Sequence, residues 1–124
     1  MIPEVRNLFT TSLCDEGREV FHHLLEGESF SLEAITSRGK PSAEGFWYDQ
    51  SWAEWVLLLR GKSSLEFEES LVIHLLSGDY LLIPAHCRHR VASVSEDAVW
   101  LALHLRESAS DLPPYHGGNR ISGD

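Results

Sequence analysis

Apolar residues recur along this chain at the spacing of strands. From Ser29 to Thr36 the residues alternate, with Phe30, Leu32, Ala34 and Thr36 on one face, and the segment closes at Ser37-Arg38-Gly39-Lys40-Pro41. Alternation of period two followed by a Gly/Pro cluster predicts a strand and its turn. Trp55-Val56-Leu57-Leu58-Leu59 is apolar on both faces and stops at Arg60-Gly61-Lys62, after which Leu65-Glu66-Phe67-Glu68 alternates apolar with acidic. These two segments are expected to be antiparallel strands, the first of them covered on both sides. Leu71 to Leu76, Tyr80 to Ile83, Arg90 to Val94 and Val99 to Leu105 follow, each bounded by Gly, Pro, Ser or Asp. On the last of these, Trp100, Ala102 and His104 share one face while Leu101, Leu103 and Leu105 share the other, and either set suits a core. Glu16 to Leu25 is too short for periodicity to separate helix from strand; a strand is expected. Many short, closely spaced strands predict an all-β sandwich or barrel.

Composition narrows this picture. A chain of 124 residues with 43% hydrophobic residues is of one-domain size and buries a core without metal or disulfide staples. The barrel domain, N-terminal strands included, is expected over residues 1–106. Residues 107–124, rich in Ser, Asp, Pro and Gly, are expected to form an irregular, mobile tail. The formal net charge of −9 disfavours nucleic acid and anionic lipid as partners. No basic segment followed by an apolar stretch opens the chain, and no run approaches the roughly 18 apolar residues of a membrane span. A cytoplasmic location is expected. Cys14 and Cys87 are the two cysteines, which implies no disulfide framework.

The candidate chemistry sits in Gly78-Asp79-Tyr80-Leu81-Leu82-Ile83-Pro84-Ala85-His86-Cys87-Arg88-His89. A turn glycine, a short apolar strand, a proline break and two histidines stand in that order. Gly78, Pro84 and His89 fall at the spacing of the second motif of the cupin superfamily, and Glu54 and Gly61 match the second half of its first motif. The chain therefore resembles a small single-domain cupin from about Phe30 to His104. Where that first motif carries its paired histidines, this sequence reads Phe46-Trp47-Tyr48-Asp49-Gln50. A spacing of three selects Tyr48 and Gln50, and a spacing of four selects Trp47 and Asp49. His86 stands where the family has glycine, and Ser93 where it has asparagine.

The resemblance implies a jelly-roll barrel (double-stranded β-helix) with its ligand site inside, commonly in a homodimer; Trp52 and Trp55 are the residues expected at such a contact. It also implies a divalent metal, Zn, Mn, Fe or Ni, held by His89 and Glu54 with some of Asp49, His86 and Gln50. The ligand pocket is expected to involve Trp47, Tyr48, Phe67, Trp100 and His104. Three or four imidazoles or carboxylates converging from different strands are what such a metal needs. His89 with Glu54 also reads as a plain buried hydrogen-bonded pair, and His22-His23, His74 and His116 read as structural or solvent-facing. Cys87 is expected to be a small filler. Arg60 and Arg88 are expected to be solvated, or to clamp an anion at the barrel mouth. Two functions follow: a metal-binding cupin, with or without enzymatic activity, or a metal-free cupin that binds or senses a small molecule. Metal-free acid–base catalysis through Tyr48 and His89 is a further option. No catalytic residue is assigned.

Overall fold

The computed structural model describes residues 1–9 and 20–106. The expected tail, residues 16–19, Cys14 and His116 lie outside the described residues. Eight strands follow one another: β1 (Val20–Glu26), β2 (Phe30–Thr36), β3 (Ala53–Arg60), β4 (Lys62–Phe67), β5 (Leu71–Leu76), β6 (Tyr80–Ile83), β7 (His89–Val94) and β8 (Val99–Leu105). They form a five-stranded sheet in the order β1-β2-β8-β3-β6 and a three-stranded sheet in the order β5-β4-β7. All the pairings are antiparallel. The architecture is an all-β jelly roll. Among the described residues no helix is long and apolar enough to cross a membrane.

The expected pairing of Trp55–Leu59 with the Leu65–Glu68 segment is corrected by this topology. β3 pairs with β6 and β8, whereas β4 pairs with β5 and β7. Gly61, at φ 93°, turns the chain out of one sheet and into the other, a backbone conformation that favours glycine. A Cβ there would run into Ser95 Oγ and sit 2.9 Å from the Ala98 Cα. Trp52 and Trp55, expected at a contact between subunits, have partners within the chain: the Trp52 indole reaches His104, and the Trp55 ring lies 5.5 Å from that of Tyr80.

Register determines what faces inward. Opposite residues of an antiparallel pair share a face, and His104 on the central strand β8 stands opposite both Ser31 of β2 and Glu54 of β3. The inner face thus carries Glu33 and Ile35, then Trp100, Ala102 and His104, then Glu54, Val56 and Leu58. On the smaller sheet Leu65 and Phe67 stand opposite Val91 and His89. The two inner faces supply most of the core, with Val56, Leu58, Leu65, Phe67, Val91, Trp100 and Ala102 all buried. Of the two alternating sets on β8, Trp100, Ala102 and His104 are the buried one.

Candidate functional site

Two tied loops close one end of this core. Tyr48 and His89 exchange backbone hydrogen bonds of 2.7 and 3.1 Å, and the His86 N–H donates to the Gln50 carbonyl at 2.6 Å. The Tyr48–Gln50 segment is thereby clamped to the turn between β6 and β7. His86 occupies that turn at φ 59°, so the position the family gives to glycine does adopt the left-handed conformation.

Extended backbone turns successive side chains to opposite sides. Tyr48 and Gln50 line the cavity, as the three-residue spacing had it. Asp49 points away from it and meets His86 Nδ1 at 3.0 Å; their side chains are 47% and 70% exposed. Asp49 and His86 are therefore held in an exterior pair and do not line the cavity with Glu54 and His89. Trp47 does not line it either; Arg88 lies 5.3 Å over its ring. Phe67 is buried beside His89, with ring centroids 5.9 Å apart, and backs the imidazole.

The cavity has a volume of about 70 Å³, room for several water-sized groups. Its apolar wall is Ile35, Val56, Leu65, Ile83 and Val91, its aromatic surface Phe21, Tyr48 and Trp100, and its polar groups Glu33, Gln50, Glu54, His89 and His104. Among the described residues no Lys or Arg lines it. Arg88 pairs with Glu68 at 3.4 Å, Arg90 with Glu66 at 3.1 Å, and Arg60 lies 4.2 Å over the Phe9 ring.

Hydrogen bonds fix the state of both inner histidines. A carbonyl only accepts, so the 2.9 Å contact between His89 Nδ1 and the Cys87 carbonyl places the proton on Nδ1. Burial pushes the His89 pKa below its ordinary value, with the Cys87 bond acting the other way. The imidazole is then neutral and turns an Nε2 lone pair toward Glu54 Oε1, 3.9 Å away on the opposite sheet. That separation exceeds hydrogen-bond length.

His104 has the opposite tautomer. An indole N–H only donates, so the 2.8 Å bond from Trp52 Nε1 leaves His104 Nδ1 unprotonated, and Nε2–H donates to Glu33 Oε1 at 2.7 Å. Glu54 Oε2 lies 3.9 Å from the same nitrogen. Glu33 was not singled out from sequence; its signal was a carboxylate on β2 diagonal to the one histidine of β8. Cys87 is half-buried against the core, and burial followed by the nearby Glu68 charge pushes its thiol pKa up, the reverse of an activated nucleophile.

The donors do not fit a resident transition metal as the chain holds them. Such a centre takes three or four convergent ligands. Among the described residues no group of three His, Cys, Asp or Glu side chains is arranged to hold one. His89 Nε2 and Glu54 are two donors, and Gln50 adds at most a weak carbonyl. Trp52 keeps His104 Nε2 protonated, so that nitrogen has no lone pair to give.

The fold and site define a small jelly-roll protein with a polar-ended internal cavity. No family model matches the chain, and no curated protein does. Solved structures do. A protein from Ralstonia eutropha, named as a candidate mannose-6-phosphate isomerase, is 40% identical, with 85% of this chain and 100% of that one aligned at a TM-score of 0.78. An RmlC-like cupin from Desulfovibrio desulfuricans aligns over 83% of this chain and 97% of its own at 20% identity and a TM-score of 0.62. A cupin superfamily protein from Desulfitobacterium hafniense aligns over 86% and 95% at 18% identity and 0.69. The chain belongs to the cupin superfamily.

Proposed function

We propose that this cupin binds a small molecule directly in its cavity, between Glu54 on one sheet and His89 on the other, without a resident metal. The observation that carries this reading is the cavity between the two sheets, whose apolar wall ends in Gln50, Glu54 and a neutral His89 with its Nε2 3.9 Å from the Glu54 carboxyl group. A polar ligand group placed there meets an imidazole nitrogen, His89 Nε2, that accepts a hydrogen bond. Gln50 and the Tyr48 ring, stacked on His89 at 5.3 Å, flank the gap and restrict the ligand's orientation. The apolar wall accommodates its body.

The name of the Ralstonia relative suggests a phosphorylated sugar as ligand. Phosphate recognition relies on arginine, lysine or helix N-termini, and the described lining has no cationic side chain. A phosphosugar therefore suits this cavity poorly. The competing reading, a Zn, Mn, Fe or Ni centre on His89 and Glu54, draws its support from the lone pair that His89 keeps toward the carboxylate.

One experiment separates the two. Chelator-treated and untreated protein are screened against a library of small amines, alcohols and sugars by ligand-observed NMR. Binders common to both preparations, lost in the folded Glu54→Gln/His89→Gln double variant, are the expected result. Binding that disappears on chelation and returns with one of the four metals would overturn the metal-free reading.

A further inference from the structure

We infer that two copies of this chain pair through the outward face of the five-stranded sheet, the side turned away from the cavity. Opposite residues of paired strands share a face. The register lines up Leu32 of β2, Leu103 of β8, Trp55 of β3 and Leu82 of β6 in one outward row, with Leu101 and Leu57 opposite each other beside it. Along β8 the inward side chains are buried, whereas Leu101 and Leu103 are only half-buried. A sheet with one face in water alternates apolar inward with polar outward. Here the outward positions of these four strands hold no Asp, Glu or Lys, and Arg60, at the end of β3, is the one Arg. In a chain with 19 acidic and 10 basic residues, so large an uncharged face has the composition of an interface core.

The N-terminal segment points to a second copy as the occupant. Phe9 lies under the Arg60 guanidinium at 4.2 Å, so the segment leaves the barrel at the border of this face. Further out, Ile2 and Val5 are 92% and 94% exposed. A copy related by a two-fold axis covers the face and the segment of its partner in one operation, each supplying what the other lacks. The chain outside the described residues is a poorer cover: 10–19 and 107–124 have Leu13, Leu112, Tyr115 and Ile121 as their large apolar residues, set among Ser, Asp, Glu and Gly. Two chains of net charge −9 repel each other least where they meet without charges. The area is also sufficient. Four strands about 4.8 Å apart and about six residues long present about 400 Å² of flat sheet per copy. Two copies bury about 800 Å² there, and the N-terminal segments carry the total past the roughly 1,000 Å² of a specific interface.

Sedimentation velocity on the full chain, over a range of concentrations, is the test. A dimer is the expected species at about 100 µM, well above the micromolar dissociation constants of weak interfaces. Leu101→Glu sets a carboxylate from each copy into the contact and is expected to weaken dimerisation about a hundredfold or more. Val72→Glu, on the outward face of the other sheet, is expected to change it by less than about twofold. Circular dichroism checks that each variant is folded, and should Leu101→Glu not fold, Leu82→Glu on the edge strand β6 takes its place. A native chain that is monomeric at about 100 µM overturns the inference. So does a dimer that survives the folded Leu101→Glu or Leu82→Glu variant, or one that Val72→Glu dissociates.

Discussion

The indole N–H of Trp52 donates to Nδ1 of His104 at 2.8 Å, and that one bond decides what the imidazole offers to the cavity. With Nδ1 committed as acceptor, Nε2 must carry the proton it gives to Glu33. Trp52→Phe keeps a ring against His104 and removes the donor. The variant is expected to lose about 1 kcal/mol of stability and to release the tautomer. Long-range 1H–15N correlation should give the pure Nε2–H pattern for His104 in the native chain and a mixed pattern in the variant. An unmixed pattern in the variant would mean that Glu33 alone sets the tautomer.

Glu33 stands at the far end of the same chain of bonds. Glu33→Ala strands a donor on a histidine that is 7% exposed, at an expected cost of about 1–3 kcal/mol, whereas Glu33→Gln retains an acceptor and costs less. Urea unfolding of the two variants measures the difference.

Acidification should weaken the fold through His89. Burial holds its pKa below the ordinary 6.5, so below that value the unfolded chain binds more protons than the folded one. The stability contribution is complete above pH 6.5 and is lost as pH falls toward the lower folded-state pKa. His89→Gln is expected to flatten this part of the profile. Urea midpoints for the two chains between about pH 5 and 7.5 check it; parallel slopes would assign the acid sensitivity to other groups.

Asp49 and His86 behave as a surface pair on this account. With side chains 47% and 70% exposed, their interaction is worth no more than about 1 kcal/mol. Asp49→Ala should leave the affinity for cavity ligands within about twofold, read by ligand-observed NMR. A large loss would return Asp49 to the site.

Much of the fold was legible in the sequence because the strand ends are marked by residues with strong backbone preferences. β5, β6 and β8 span the segments expected between their Gly, Pro, Ser and Asp boundaries. The partner of β3 was not legible. Gly61 lies between two strand-like segments as a hairpin glycine would, and only the closure of two sheets shows that it passes the chain between them. The site was legible in part: Glu54, His89, Tyr48, Gln50, Trp100 and His104 all line the cavity. Asp49 and Gln50 competed because a one-residue change of spacing exchanges the faces of a strand, and the backbone bonds of Tyr48 to His89 settle which face turns inward. Glu33 was missed because an acid in mid-strand reads as a solvent-facing residue, and its burial follows from its diagonal position to His104.

The metal content of the chain purified without an affinity tag tests the central claim most directly, with Glu54→Gln and His89→Gln measured beside it. Well below one equivalent of Zn, Mn, Fe or Ni, unchanged in both variants and after incubation with each metal, is the predicted result. One equivalent per chain in the native protein, lost in both variants, would contradict it and make Glu54 and His89 metal ligands.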